Sequence, residues 1–400
     1  MKLYIQMMSS YAPSWGFGGP IKIFYDYAYH LQGHMRTLVV AGDVHHDYSR
    51  IDPHQEIEEI SVVRVRVFFR ELIRRNINII SPLMFLIVWK QIRDAHDSVI
   101  IHICECRGLV NLYAGLLKKI FGEKVTLVHS AFGMLHEKKS KFRSVYDALL
   151  FDWSFRQIDI FLAQNDHELS VYKKLGVARP SSNIRTKKLV LLPLNVDRPK
   201  SFSCVPKTKA EATSARLYFS LPQDELIFLF LGRFHANKGI LNAHLAAMEY
   251  SKVSGQKVCM VFAGRDEGFL SDLEELQAQV CGDHYHIKIL QNVYGDDRFS
   301  LYQAADIFLG FPLICEETML SSLEALSVGT PCVVSKYNAS IPFMADSLAG
   351  YESEVSPKES AAYIGNILAD YRTHSTAAVD LVNERFLTSQ VVGELIDIFE

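Results

Sequence analysis

The stretch Leu229 to Gly239 runs from an apolar segment into Gly232-Arg233 and then Lys238-Gly239. Two cations on a loop that leaves a strand can neutralise a diphosphate, Arg as a bidentate fork and Lys as a point charge. Taken alone, they are equally a solvated pair. Further on, Gly310 to Pro331 reads as strand, loop and helix, ended by Gly329-Thr330-Pro331, with Thr318 placed as an N-cap. Glu316 then falls in the loop before the helix, and Glu324 about two turns inside it. Carboxylates so placed accept hydrogen bonds from hydroxyl-rich ligands, while a helix N-terminus offers N–H groups to phosphate. Acidic residues suit any helix start, which accounts for Glu316 and Glu317. It does not account for Glu324, which sits among Leu323, Ala325 and Leu326.

A third stretch, Trp15-Gly16-Phe17-Gly18-Gly19-Pro20, precedes helix-like Ile21 to Leu31. Such a turn lets backbone N–H groups approach an anion closely, and it is equally a plain surface loop. It is not a dinucleotide fingerprint, because the third glycine of GxGxxG would be Ile21. No GxxxxGK[ST] occurs. His102-x-Cys104-x-Cys106 lacks the usual C-x₂₋₄-C spacing of zinc sites, and alternation along an apolar strand would send all three side chains to one buried face. His45-His46 reads as an exposed loop, and Tyr25, Tyr27 and Tyr29 as helix packing.

The elements that must position these residues are short, β-rich runs separated by amphipathic segments. In the first half they are Lys2–Met7, Thr37–Ala41, Val99–Cys104, Val125–His129, Ile158–Ala163 and Leu189–Pro193. In the second half they are Leu226–Leu231, Val258–Ala263, Ile287–Leu290, Ile307–Gly310 and Pro331–Ser335. Near-continuous apolar strands alternating with helices indicate parallel sheets covered on both faces, hence α/β. Two such series predict two doubly wound, Rossmann-like domains facing each other across a cleft, residues 1–195 and 196–385. The divide lies in Asp197–Ala215, where Pro, Lys, Ser and Thr dominate, and the last helix, from about Phe386, is expected to pack back on the first domain. Open parallel sheets bind ligands beyond the carboxyl ends of their strands.

Composition agrees with this and excludes other classes. The chain has 400 residues, 49% hydrophobic and 22% charged, with only 22 Gly and 13 Pro, which excludes disordered and collagen-like chains. Pro82–Trp89, its longest apolar candidate, is too short to span a bilayer, and the start lacks a signal-peptide core. Seven scattered cysteines fit a reducing compartment. The net charge of −3 hides an asymmetry: residues 1–190 carry 26 Lys+Arg against 18 Asp+Glu, and residues 191–400 carry 16 against 27. Arg64, Arg66, Arg70, Arg74 and Arg75 interleave with Val65, Val67, Phe68, Phe69, Leu72 and Ile73, and Lys138, Lys139, Lys141 and Arg143 follow later. Cations mixed with aromatics suit an anionic bilayer surface and equally a solvated face. The pI of about 6.6 and the absence of an RNP-like or finger motif argue against nucleic acid.

In their order these motifs resemble the retaining glycosyltransferases of family 4 (glycosyl transferases group 1), which have the two-domain GT-B fold. The second half carries most of the likeness: Gly232-Arg233 with Lys238-Gly239, Ala263-Gly264-Arg265-Asp266-Glu267, Glu316 with Glu324, Glu324-Ala325-Leu326 and Gly329-Thr330-Pro331. In the first half, Gly18-Gly19-Pro20 and Gly33-His34 are similar to the family's opening pattern, and His102 to Arg107 and Pro193 to Asp197 to its later strand ends. The resemblance implies metal-independent sugar transfer from a nucleotide-diphosphate sugar, UDP- or GDP-linked, with no separate cofactor. It implies that Glu316, Arg233 and Lys238 are catalytic, and that Gly18, Gly19, Thr318, Met319, Leu320 and Glu324 join them in holding the donor. It places His102, Glu105, Arg107, Phe132 and Gly133 on the acceptor side, with a glycan or lipid-linked acceptor used in building a cell-surface polysaccharide such as lipopolysaccharide. A cytoplasmic enzyme on the inner membrane face is expected, its basic first domain meeting the anionic bilayer. Two positions depart from the family pattern: Phe132-Gly133 stands where His-Gly is usual, and Glu317-Thr318-Met319 where Gly-Phe-Gly is usual. They leave open a nucleotide-sugar-binding protein without turnover, or a GT-B enzyme that cleaves or epimerises sugars.

Overall fold

The computed structural model describes residues 1–52, 57, 60–69, 73, 78–136, 147–175, 188–192, 195–197, 199, 201–202, 205–280, 282–314, 320–338, 344 and 347–400. The chain divides into two compact units, Met1–Leu194 with Thr388–Glu400, and Asn195–Leu387.

The first unit contains β1 (Leu3–Met8), β2 (Arg36–Gly42), β3 (Val62–Val65), β4 (Val67–Phe68), β5 (Ile79–Ile80), β6 (Val99–Ile103), β7 (Val125–Ser130), β8 (Ile160–Ala163) and β9 (Lys188–Leu191). Seven of them form a sheet in the order β3-β2-β1-β6-β7-β8-β9, every pair parallel, and β4 pairs antiparallel with β5. Both sheet faces are covered, so all five residues of β6 and all six of β1 are buried. The second unit repeats the plan with β10 (Leu226–Leu231), β11 (Val258–Gly264), β12 (Tyr285–Gln291), β13 (Ile307–Gly310), β14 (Cys332–Ser335) and β15 (Gly350–Ser353). Their order is β12-β11-β10-β13-β14-β15, again all parallel. Each unit is a doubly wound, Rossmann-like α/β domain.

The helix Thr388–Phe399 belongs to the first unit, where the Phe399 carbonyl accepts from Lys2 Nζ at 2.9 Å and its ring lies 5.7 Å from that of Tyr4. Among the described residues no helix is long and apolar enough to cross a membrane.

Three sequence expectations change here. The strand that starts at Val99 stops at Ile103, so Cys104 and Cys106 lie in the following loop rather than alternating with His102; all three are buried. The Arg64 to Val67 alternation is strand periodicity: β3 pairs with β2, and the Arg64 guanidinium donates to the carbonyls of Gly42 (3.2 Å) and Ala12. Arg64 is therefore committed to the fold rather than offered to a membrane, and burial lowers its pKa to about 10. Arg70, Leu72, Arg74, Arg75, Lys138, Lys139, Lys141 and Arg143 lie outside the described residues. His45 and His46 are half-buried rather than an exposed loop, and a Cβ at Gly16 would meet the His46 ring at 2.5 Å.

A buried polar chain crosses the first sheet. Gln6 Nε2 donates to the Phe24 carbonyl (2.7 Å) and to Tyr4 Oη (3.1 Å). Tyr4 Oη shares a hydrogen bond with His102 Nδ1 (2.8 Å), and His102 Nε2 shares another with Ser130 Oγ (2.8 Å). His129 pairs through Nδ1 with the Tyr172 hydroxyl at 2.8 Å. Burial holds both imidazoles neutral and pushes each pKa down to about 3. In the unfolded chain a histidine titrates near 6.5. The native state thus binds fewer protons than the unfolded one below that pH, and stability falls as pH drops from about 6.5 toward 3. By pH 5.5 each histidine is expected to cost on the order of 1 kcal/mol. The three tryptophans, Trp15, Trp89 and Trp153, all belong to the first unit. Urea unfolding followed by tryptophan fluorescence at pH 7.5 and 5.5 therefore reads this loss, and an unchanged midpoint would contradict it.

Candidate functional site

The second sheet presents its carboxyl edge as loops stitched to one another. After β10, Phe234 forms a parallel bridge with Asp266 from the loop after β11: Phe234 N donates to Arg265 O at 2.8 Å, and Glu267 N to Phe234 O at 3.1 Å. Gly264 makes this approach possible, because a Cβ there would land on the Gly232 carbonyl oxygen. Leu313 N, after β13, donates to Asn237 O at 2.9 Å, and Ser335 Oγ, at the end of β14, donates to Pro312 O at 2.8 Å. Loops from four neighbouring strands are thereby held in register at the edge where such sheets bind ligands.

Arg233 and Lys238 sit in this framework. Arg233 Nη1 donates to Glu267 Oε2 at 2.8 Å, and Arg265 Nη2 to Glu267 Oε1 at 2.5 Å. One carboxylate thus orients two guanidinium groups, and the Arg233 side chain remains 54% exposed. An exposed ion pair is worth about 1 kcal/mol or less, so its effect is to orient Arg233 rather than to stabilise the fold. Lys238 closes the short turn Ala236–Lys238, and Gly239, at φ 71°, leads into the helix Ile240–Ser254. A Cβ at Gly239 would land on the Phe311 carbonyl oxygen, so the loop lies directly against the chain leaving β13.

Glu324 stands in the helix Leu320–Ser327 with its side chain only 7% exposed. Oε1 pairs with Arg298 Nη1 at 2.8 Å, and Oε2 accepts from the Tyr302 hydroxyl at 3.0 Å. Both donors come from the helix Asp296–Ala304, where Arg298 and Tyr302 lie one turn apart. The Glu324 charge raises the Arg298 pKa, and burial pushes the Tyr302 phenol well up. Leu320 begins the Glu324 helix; Glu316, Glu317, Thr318 and Met319 lie outside the described residues.

In the first unit, Gly18 (φ 107°) precedes the helix Gly19–Leu31 and caps it without a side-chain bond, with Pro20 in its first turn. Left-handed backbone of this kind favours glycine. Tyr27 of this helix is buried, but Tyr29 is largely exposed and stacks on Tyr25 rather than packing inward. The expected acceptor-side residues differ in access. His102 is sealed within the polar chain described above, beneath Phe24 at 4.5 Å between ring centroids. Glu105 is half-buried at the end of β6, where Oε1 accepts from Ser9 N (2.5 Å) and Ser9 Oγ (2.8 Å). Burial raises its pKa, with the Ser9 bonds acting against the rise. The Arg107 guanidinium lies 4.9 Å from the Phe151 ring centroid. Phe132, at φ 48°, is buried edge-on against Phe24, and Gly133 N donates to Glu168 Oε1 at 3.0 Å.

The structure thus places Arg233 and Lys238 together on one loop and Glu324 on the helix between β13 and β14. Sequence reasoning missed Arg298 and Tyr302. Tyr302 and Arg298 show the one-turn spacing of a shared helix face, but nothing in the sequence links that face to Glu324. Among the described residues no group of three or more His, Cys, Asp or Glu is placed to hold a metal ion.

Comparison with known proteins agrees with this architecture. A stretch of 125 residues is 30% identical to an uncharacterized glycosyltransferase of Methanocaldococcus jannaschii, covering 31% of this chain and 31% of that protein. Sucrose-phosphate synthase from Thermosynechococcus elongatus superposes with a TM-score of 0.70 at 17% identity, covering 99% of this chain and 98% of that one. The Anabaena protein HepE, solved in complex with UDP and glucose, superposes with a TM-score of 0.70 at 13% identity, covering 99% of each chain. Residues 217–378, which hold Arg233, Lys238, Arg298 and Glu324, match the family model described as glycosyl transferases group 1, and the chain has the fold of these solved structures.

Proposed function

We propose that this chain transfers a sugar from a UDP- or GDP-linked donor to a glycan or lipid-linked acceptor, with retention at the anomeric carbon. The observation that carries this reading is the loop after β10. It sets Arg233, oriented by Glu267, and Lys238 at the carboxyl edge of the sheet, inside the stretch that matches group 1 glycosyl transferases. Arg233 and Lys238 stabilise the diphosphate as the bond to the anomeric carbon breaks, an electrostatic task that asks for no metal. By the family pattern the transferred sugar is assigned to Glu316, the donor phosphates to Thr318, Met319 and Leu320, and the ribose hydroxyls to Glu324. That HepE was solved with UDP and glucose supports a nucleotide-sugar donor.

Phe132 offers no base where the family usually has a histidine, and its ring is buried against Phe24. In this reading the departing phosphate oxygen takes the acceptor proton, as the C–O bond to the diphosphate breaks and the new C–O bond forms on the same face. Glu105, Arg107 and Gly133 stand on the acceptor side. The acceptor belongs to a cell-surface polysaccharide assembled at the inner membrane face, where the excess of cations in residues 1–190 favours an anionic surface. Incubation with UDP- and GDP-sugars is expected to release nucleotide diphosphate slowly, and faster with a glycan acceptor. The product's anomeric proton coupling, read by NMR, should match the donor's. Tight nucleotide-sugar binding with no release, even with acceptor present, would instead make the chain a binding protein.

A further inference from the structure

Glu324 is a carboxylate inside an apolar helix face, and a buried charge of this kind stands only when paired and hydrogen-bonded. The structure supplies both partners from one helix: Arg298 on Oε1 at 2.8 Å and Tyr302 on Oε2 at 3.0 Å. Two donors on two oxygens fix the plane of the carboxylate as well as its charge. Each oxygen has a second acceptor position, so a ligand that donates from two adjacent hydroxyls can still bind. Arg298 is the more accessible member, its side chain 30% exposed against 7% for Glu324. Its Nε is aimed at the Gly295 carbonyl (3.4 Å) in the turn that starts the helix. That second contact ties the guanidinium to the backbone of its own helix start.

We propose that Arg298 is a positioning and specificity residue of the donor site, holding Glu324 so that its remaining acceptor positions read a ribose diol and separate a ribonucleotide from its 2′-deoxy counterpart. The proposal rests on the donor reading above, and its test distinguishes the two. A purely structural Arg298 would offset the Glu324 charge without affecting which sugar the site prefers. A positioning Arg298 makes the preference itself depend on the guanidinium fork, which lysine cannot reproduce.

The experiment measures binding of UDP, 2′-deoxy-UDP, GDP, 2′-deoxy-GDP and inorganic pyrophosphate to the full chain by calorimetry. The wild-type protein is expected to favour the ribonucleotide of the preferred base by about tenfold or more, the effect of one hydrogen bond to a charged group. In Arg298→Gln the preference should shrink to about twofold, while pyrophosphate affinity stays within about twofold of wild type. Arg298→Lys and Tyr302→Phe, which preserve the charge or the ring, should lose part of the preference, and they decide the matter if Arg298→Gln does not fold. A tenfold preference that survives in these variants overturns the proposal and leaves the donor reading standing. Equal binding of the ribo and deoxy forms by the wild type overturns it as well, because Glu324 then reads no diol. Failure of the wild type to bind any nucleoside diphosphate removes the donor reading, and this proposal with it.

Discussion

Replacing Lys238 by alanine is expected to lower the rate of sugar transfer by about two to three orders of magnitude, the usual effect of removing one fixed charge-stabilising donor. Lys238 ends the turn Ala236–Lys238, and Gly239 behind it presses on the chain leaving β13, so the ammonium stem starts from a backbone fixed on both sides. Lys252, exposed on the helix Ile240–Ser254, supplies the control: Lys252→Ala removes the same charge from the same unit and should leave the rate unchanged. Arg233→Lys should show an intermediate loss, because lysine keeps the charge but cannot keep the Glu267-oriented fork. Steady-state release of nucleotide diphosphate reads all three. A Lys238→Ala rate within about threefold of wild type would remove the electrostatic role assigned to this loop.

How much of this was legible in the sequence depended on whether a residue's partner was near it along the chain. The strands Leu226–Leu231 and Ile307–Gly310 were read to the residue, because each is an apolar run ended by glycine or its neighbour. The Arg233 to Gly239 loop was legible for the same reason, since strand end, cations and helix-leading glycine are contiguous. Arg64 was misread because a cation every second residue looks like a basic face unless a parallel neighbour is known. Its strand partner, β2, and its carbonyl acceptors at Ala12 and Gly42 come from elsewhere in the chain. Glu324 was flagged by its apolar neighbours, yet what satisfies its charge lies on another helix. For His102 the apolar alternation indicated burial while the family resemblance placed it on the acceptor side, and the burial reading holds, because Phe24, Tyr27 and Phe399 cover it.

Gly239→Ala, compared with Gly255→Ala, should separate the cost of left-handed backbone from the cost of breaking the site. The two glycines flank one helix with nearly the same φ, 71° and 69°. Around Gly255 a Cβ meets nothing within 4 Å, so alanine there should cost about 1 kcal/mol, the price of the αL conformation alone. At Gly239 the same Cβ lands on the Phe311 carbonyl oxygen, and rigid backbone cannot step aside as a flexible side chain would. Relief requires the Arg233–Lys238 loop and the chain after β13 to part, which breaks the Leu313 to Asn237 hydrogen bond. Gly239→Ala should therefore cost about 3 kcal/mol in chemical unfolding followed by far-UV circular dichroism. It should also weaken nucleotide-diphosphate binding by about tenfold or more, because the loss of one charge-assisted contact already has that effect. Gly255→Ala should leave that binding unchanged. If the two variants cost the same, close packing behind Lys238 is not what holds the loop, and its position must come from the Phe234–Asp266 bridge instead.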